Sequence, residues 1–237
     1  MKTLVFGASG ATGKHVVLHL LERHHAAKIV VRESAKIPDK FLEDQNVEII
    51  KGDIDRFSTE EIHALLVDCD SVVCCLGHNL SFKGMYGKPR KLVVNAVRKI
   101  TAALAASNTP KKFVLMSTTA YTNKSHGEKN TSGEKLVFSL LEILLPPHKD
   151  NVLAANHLLY EVGASKQIEW VAVRPDGLID EESTSHYELL ENKIRSPLFD
   201  PGKTSRINVG HFMVELLVNE DLWGRWKFKT PVIYNKG

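Results

Sequence analysis

Seven residues near the start of the chain, Gly7-Ala8-Ser9-Gly10-Ala11-Thr12-Gly13, place glycine at every third position. That spacing suits a backbone that must turn tightly and lie against a bulky anion. The first glycine permits the turn, the second lets the backbone approach without a side chain intervening, and the third lets a following helix lie close to the preceding strand. Free N–H groups at the helix start, with the positive end of the helix, would then face a pyrophosphate. Ser9 and Thr12 could add hydroxyl donors. Roughly 20 residues on, an acidic side chain would accept from a ribose 2′-hydroxyl and a basic one would accommodate a 2′-phosphate. Arg32 stands there, with Lys36 four residues later, while Glu33 is placed to point away from the ribose. The pattern predicts a dinucleotide site that prefers NADP(H) over NAD(H).

These residues need a particular frame. Short β-branched runs alternate with helix-length amphipathic segments, the pattern of βαβ units and a parallel sheet. Strands are expected at 3–6, 28–32, 47–50, 71–76, 112–116 and 168–173, with a short last one at 232–234. Helices are expected from Thr12 to about Arg23, at 59–66, from Pro89 through Ala106, at 150–163 and at 209–218. The longest irregular segments, about 77–89, 118–133 and 177–206, each follow a strand's carboxyl end, where open α/β sheets bind ligands. The expected fold class is α/β, a doubly wound, mostly parallel Rossmann sheet. Residues 1–237 form one NAD(P)-binding domain in which about 175–237 build the substrate side.

A chain of 237 residues with 43% hydrophobic and 25% charged residues matches globular averages. The formal charge of +3 carries no long run of one sign, so no nucleic-acid footprint is expected. The MKTLVF start is broken by Gly7 and Gly10 before it reaches the length of a secretory core, and the apolar run 136–145 is interrupted by Glu142 and stopped by Pro146-Pro147. No membrane segment is expected. Cys69, Cys74 and Cys75 are too few for a disulfide framework, and adjacent Cys74 and Cys75 would face opposite sides of a strand; a reducing cytoplasm fits. No HExxH or Cys-His spacing suggests a metal, and no G-x-S-x-G suggests a hydrolase. Trp223 and Trp226 read as packing residues. His157 could reach the cofactor region, although a surface position is the plainer reading.

The stretches FGASGATG (6–13), VRESAKIP (31–38), GDI (52–54), VVCCLG (72–77), STTAY (117–121), AVRPDGL (172–178) and GHFM (210–213) resemble the atypical short-chain dehydrogenase/reductases of the NmrA-like type. Within that group they are most similar to the NADPH-dependent flavin and biliverdin reductases. The resemblance implies that Arg32 and Lys36 hold the 2′-phosphate, that Asp53 and Ile54 flank the adenine, and that Leu76 and Gly77 line the path to the nicotinamide. It also implies that a hydroxyl at the end of the fifth strand sits beside the nicotinamide. Thr119 is the first choice and Tyr121 the second; the alternative is that these hydroxyls satisfy strand-end backbone groups.

Two departures bear on chemistry. None of Tyr86, Tyr121, Tyr160, Tyr187 or Tyr234 has lysine four residues later, so the usual tyrosine-lysine acid is absent. Gly177 stands where the flavin/biliverdin branch has a histidine, which disfavours a tetrapyrrole. Flavins and quinones accept hydride with their proton coming from solvent, so the expected function is hydride transfer from NADPH to such a planar acceptor. A non-catalytic NADP(H) sensor of the NmrA-like kind is the alternative, and a sugar-nucleotide epimerase or dehydratase a weaker one.

Overall fold

The computed structural model describes residues 1–78, 90–144 and 146–236. In chain order its elements begin with β1 (Lys2–Phe6), α1 (Gly13–Glu22), β2 (Ala26–Val31), α2 (Asp39–Glu43), β3 (Val47–Lys51), α3 (Thr59–Leu66) and β4 (Ser71–Cys74). They continue with α4 (Leu92–Ala105), β5 (Lys111–Met116), α5 (Ser132–Leu144), α6 (Pro146–Asn156) and β6 (Ile168–Pro175). The last group is β7 (Gly177–Ile179), β8 (Tyr187–Leu190), β9 (Lys203–Ser205), α7 (Arg206–Val218), α8 (Glu220–Trp226) and β10 (Val232–Asn235). Eight strands form one sheet in the order β3-β2-β1-β4-β5-β6-β10-β8, and only β8 runs antiparallel to its neighbour. The order reverses between β1 and β4, which opens a crevice at the strands' carboxyl ends.

The continuous apolar runs follow from burial on both faces. Leu4 and Phe6 of β1 enter one core with Val72 and Cys74, Phe113 and Leu115, and Trp170 and Ala172, packed under α3 and α4. The intervening Val5, Val73, Val114 and Val171 enter the other core, under α1 and α7. Each such side chain withdrawn from water contributes about 1.5–3 kcal/mol. Trp223 and Trp226 are buried in the second core as expected. Cys74 and Cys75 do face opposite cores, and all three cysteines are free thiols.

Several boundaries differ from expectation for identifiable reasons. The fourth strand stops at Cys74 because its partner β1 ends at Phe6; after a last bond from Cys75 N–H to the Phe6 carbonyl, Leu76 leaves the ladder. The expected start at Pro89 lies outside the described residues, and helix α4 runs from Leu92. The helix expected over 150–163 is α6 followed by a π-helical turn at His157–Val162. The irregular 177–206 segment holds three short strands, β7 and β9 pairing apart from the main sheet.

Helix α7 crosses α1 at Gly210, where a Cβ would lie 2.8 Å from the His15 Cβ. By contrast, Gly224 in α8 is exposed and a Cβ there meets nothing within 4 Å. Gly210→Ala should therefore destabilise the protein by about 1–3 kcal/mol through overpacking. Gly224→Ala should stabilise it by about 0.5–1 kcal/mol through helix propensity. Urea unfolding of the two variants reads the opposite signs directly, and equal signs would refute this account of the helix crossing.

Candidate nucleotide and acceptor site

The turn after β1 is built around two glycines. Gly7 has φ 80° and a Cβ there would lie 2.6 Å from the Cys75 carbonyl oxygen, so the turn passes directly over the end of β4. A Cβ on Gly13 would overlap the Gly7 carbonyl itself, which is why α1 can begin so close beneath the turn. The turn is closed by Gly10 N–H donating to the Gly7 carbonyl at 2.9 Å. Ser9, Gly10 and Ala11 are exposed, and Thr12 starts α1 without a side-chain cap. Among the described residues the N–H groups of Ser9, Ala11 and Thr12 have no protein acceptor. A pyrophosphate would find donors and a helix N-terminus here.

Arg32 and Lys36 lie just past β2, exposed, and neither forms an ion pair among the described residues. Gly52 N–H donates to the Val31 carbonyl at 2.9 Å, which brings the end of β3 against the end of β2. Asp53 is half-buried just past β3, one strand over from Arg32, and Ile54 is buried in the core beneath. On the other side of the crevice Leu76 is half-buried, and Gly77 is exposed with open space where a Cβ would be. Asp53, Arg32, the glycine turn and Leu76-Gly77 thus follow the carboxyl ends of the adjacent strands β3, β2, β1 and β4.

The hydroxyls at the end of β5 divide by their partners. Thr119 is buried and donates its one proton to Asp176 Oδ1 at 2.9 Å. Asp176 also accepts from Gly177 N–H at 3.0 Å and from Gly202 N–H at 2.9 Å, so Thr119 belongs to a joint that holds the segments after β6. The Tyr121 hydroxyl is buried, and burial, with Tyr160 next in effect, pushes its phenol well above the ordinary value. That is the direction opposite to a tuned acid. Ser117, the first residue of the STTAY stretch, is buried and its hydroxyl has no hydrogen-bond partner among the described residues. An orphaned hydroxyl costs about 1–3 kcal/mol, a cost that a ligand bringing an acceptor would remove. These features fit a nicotinamide nucleotide.

Two buried carboxylates hold the walls. Asp150, with a fully buried side chain, accepts from Val93 N–H at 2.7 Å, Val94 N–H at 3.0 Å and His78 Nε2 at 2.8 Å, and so ties the exit of β4 to the start of α4. Glu128 lies 2.8 Å from the guanidinium of Arg174, the two side chains being 3 % and 0 % exposed. Arg174 also donates to the carbonyls of Thr230, Tyr121 and Glu191, and Glu128 accepts from the N–H groups of Asn123 and Lys193. One ion pair thus joins three loops on the acceptor side. Beyond it lies a cavity of about 370 Å³ between 127–134 and 192–196. His157 is half-buried and bridges Thr101 at 2.9 Å and the exposed Glu161 at 2.8 Å. Burial pushes the Cys74 thiol up to about 12, which removes it as a nucleophile.

With this geometry in hand, the comparisons agree. Residues 7–220 match the profile of a family described as NAD(P)H-binding. The chain belongs to that NAD(P)H-binding family. An uncharacterised chloroplastic protein of Arabidopsis thaliana is 26% identical over 232 residues, covering 93% of this chain and 73% of that one. The fold is shared with a short-chain dehydrogenase/reductase of Veillonella parvula solved in complex with NADP: TM-score 0.72, 16% identity, 100% of this chain and 95% of that one. A Streptococcus pneumoniae protein to which NADH-flavin reductase activity is ascribed superposes with TM-score 0.70 and 19% identity over all of both chains. The NmrA-like, atypical short-chain reductase assignment fits this NAD(P)H-binding membership. Among the described residues no helix is long and apolar enough to cross a membrane, and no group of three His, Cys, Asp or Glu side chains is placed to hold a metal.

Burial works against the Glu128 carboxylate, but the hydrogen bond and charge of Arg174 outweigh it and hold the group below its ordinary value of 4.5. A carboxyl depressed in the folded state adds stability that is complete above about pH 4.5 and is lost as pH falls through the folded value. Glu128→Gln should cost about 3–5 kcal/mol at neutral pH, because it leaves Arg174 buried without a counter-charge. The gap to the parent protein should close on acidification; urea titrations from pH 7 downwards that showed a constant gap would contradict the assignment.

Proposed function

We propose that the protein is an NADPH-dependent oxidoreductase that reduces a planar acceptor such as a flavin or quinone. The observation that carries this reading is an open donor-lined turn, with Arg32 free of ion pairs among the described residues at the end of the next strand and no tuned acid among the hydroxyls that follow β5. The Ser9–Thr12 backbone would hold the diphosphate. Arg32 and Lys36 would hold the 2′-phosphate, with Asp53 and Ile54 at the adenine and Leu76 and Gly77 along the nicotinamide path. NADPH supplies hydride from its nicotinamide. Ser117 is the hydroxyl placed to donate to a carbonyl-type oxygen on the reaction side, while Thr119 and Tyr121 shape the wall around it.

A carbonyl substrate needs a tuned acid for its oxygen, whereas a reduced flavin or quinone takes its proton from water. The acid that short-chain reductases use is missing, and Tyr121 is shifted the wrong way to replace it. The flavin reductase activity ascribed to the Streptococcus neighbour supports the same acceptor class. The missing acid equally favours a non-catalytic NADP(H) sensor as the second reading. Three free thiols suit a reducing compartment such as the cytoplasm.

Purified protein mixed with NADPH and either FMN, riboflavin or a soluble quinone should consume the nicotinamide absorbance faster than the uncatalysed mixture. Tight NADPH binding with no turnover of any acceptor would instead establish the sensor. Arg32→Ala should weaken NADPH binding by about ten- to a hundred-fold, the loss of charge-assisted hydrogen bonds to a phosphate, with little effect on NADH. Calorimetric titration with both nucleotides reads this, and equal losses would remove the basis for the cofactor preference.

A further inference from the structure

We propose that the cavity between 127–134 and 192–196 is an anion subsite that takes the phosphate monoester of a phosphorylated planar acceptor, with the Lys193 ammonium as counter-ion. The proposal deepens the acceptor reading above and rests on it. Its first support is the balance of donors and acceptors around the cavity. Of the two carboxylates that line it, Glu128 is neutralised by Arg174 and Glu134 is held by neutral donors. Glu128 accepts from Arg174 and from the N–H groups of Asn123 and Lys193. Glu134 accepts from the Ser196 hydroxyl at 2.7 Å and from Thr131 N–H at 2.8 Å.

Of the cations, Arg195 is paired with Asp200 at 2.6 Å, but the two lysines are not matched in this way. Lys193 Nζ donates to two neutral oxygens, Asn130 Oδ1 at 2.9 Å and Thr122 Oγ1 at 3.2 Å, and forms no ion pair among the described residues. An ammonium carries three donors, so one N–H remains for a ligand. Burial lowers the affinity of this amine for its proton despite the attraction of Glu128, Glu134 and Asp176, with Arg174 opposing it; the protein alone under-compensates the charge. Lys129 lines the same cavity, is exposed and has no ion pair among the described residues. A half-buried ammonium and a second unpaired lysine outnumber Glu134, the one lining carboxylate without an ion pair among the described residues, and this favours a ligand that brings several anionic oxygens.

Placement agrees. Thr122, which Lys193 touches, is five residues beyond Ser117, so the two lie within about 17 Å of chain. The cavity volume of about 370 Å³ is that of a small-molecule site. A planar ring at Ser117 could therefore extend a phosphorylated side chain towards Lys193.

FMN and riboflavin differ only in that phosphate and are the probes. Both are titrated against the NADP⁺-loaded protein and its Lys193→Met variant by quenching of flavin fluorescence, and NADPH oxidation is followed alongside. The parent protein should bind FMN at least about ten-fold more tightly than riboflavin, and Lys193→Met should abolish that preference while leaving riboflavin affinity within about two-fold. Inorganic phosphate should compete with FMN and not with riboflavin. Unchanged NADP⁺ affinity reports an intact fold; should Lys193→Met fail to fold, exposed Lys129→Gln should shift the preference in the same direction by a smaller factor. Equal affinity for the two flavins in the parent protein, or equal loss of both in the variant, overturns the subsite. A Lys193-dependent FMN preference without NADPH oxidation would keep the subsite and end the oxidoreductase reading, and oxidation of both flavins without preference would do the reverse.

Discussion

The structure depends first on a close approach of backbone to backbone at the β1/β4 reversal. Gly7 turns over the Cys75 carbonyl, and α1 begins with Gly13 pressed against the Gly7 carbonyl. Neither contact leaves room for a side chain. Because α1 starts there, its N–H groups reach the crevice, and α7 meets it at Gly210 closely enough to bury the Nδ1 atom of His15. The same few glycines therefore set the anion site, the helix crossing and the edge of the second core.

On the acceptor side the organising element is electrostatic. Arg174 sits at the end of a buried strand, a costly place for a charge. It is tolerated because Glu128 neutralises it and three of its other N–H groups donate to the carbonyl oxygens of Thr230, Tyr121 and Glu191. Such a pair adds little net stability over an apolar filling, but it fixes geometry: the three loops it joins come from residues 121–128, 191–193 and 230. Thr119 and Asp176 do the same at smaller scale, drawing Gly177 and Gly202 together. The walls are positioned by polar bonds with directional requirements, where the sheet itself is held by non-directional burial.

This difference explains what could be read from the amino acids. Strands and the glycine turn are local patterns: alternate burial of consecutive residues, and glycines three apart followed by a helix. Arg32 could be located because the chain from the turn to the end of β2 is short and regular. Asp150 could not, since the N–H groups it caps lie 56 and 57 residues earlier. The same holds for Arg174 and Glu128, 46 residues apart, and for Asp176 and Gly202, 26 apart. Choosing among Ser117, Thr119 and Tyr121 required knowing where Asp176 lies, and that residue arrives on another strand. One omission did have a local signal. Helix α5 opens with a reciprocal cap between Thr131 and Glu134, the S/T-x-x-E spacing that marks a helix start.

A consequence for chemistry follows from how the acids are used. Around the crevice and the cavity beyond it, Asp150, Asp176, Glu128 and Glu134 all accept hydrogen bonds from backbone or side-chain donors that position loops and helices. What stays uncommitted among the described residues is of the other kind: the N–H groups of the first turn, Arg32, Lys36, the Ser117 hydroxyl and the third N–H of Lys193. A crevice whose four buried acids are consumed by architecture while these donors stay free suits the ligand rich in anionic oxygen proposed above. Asp53, half-buried at the nucleotide end, is the carboxylate left over, so among the described residues no buried acid at the proposed acceptor end is free to shuttle protons. The proposed hydride transfer to an acceptor that takes its proton from water is consistent with that division.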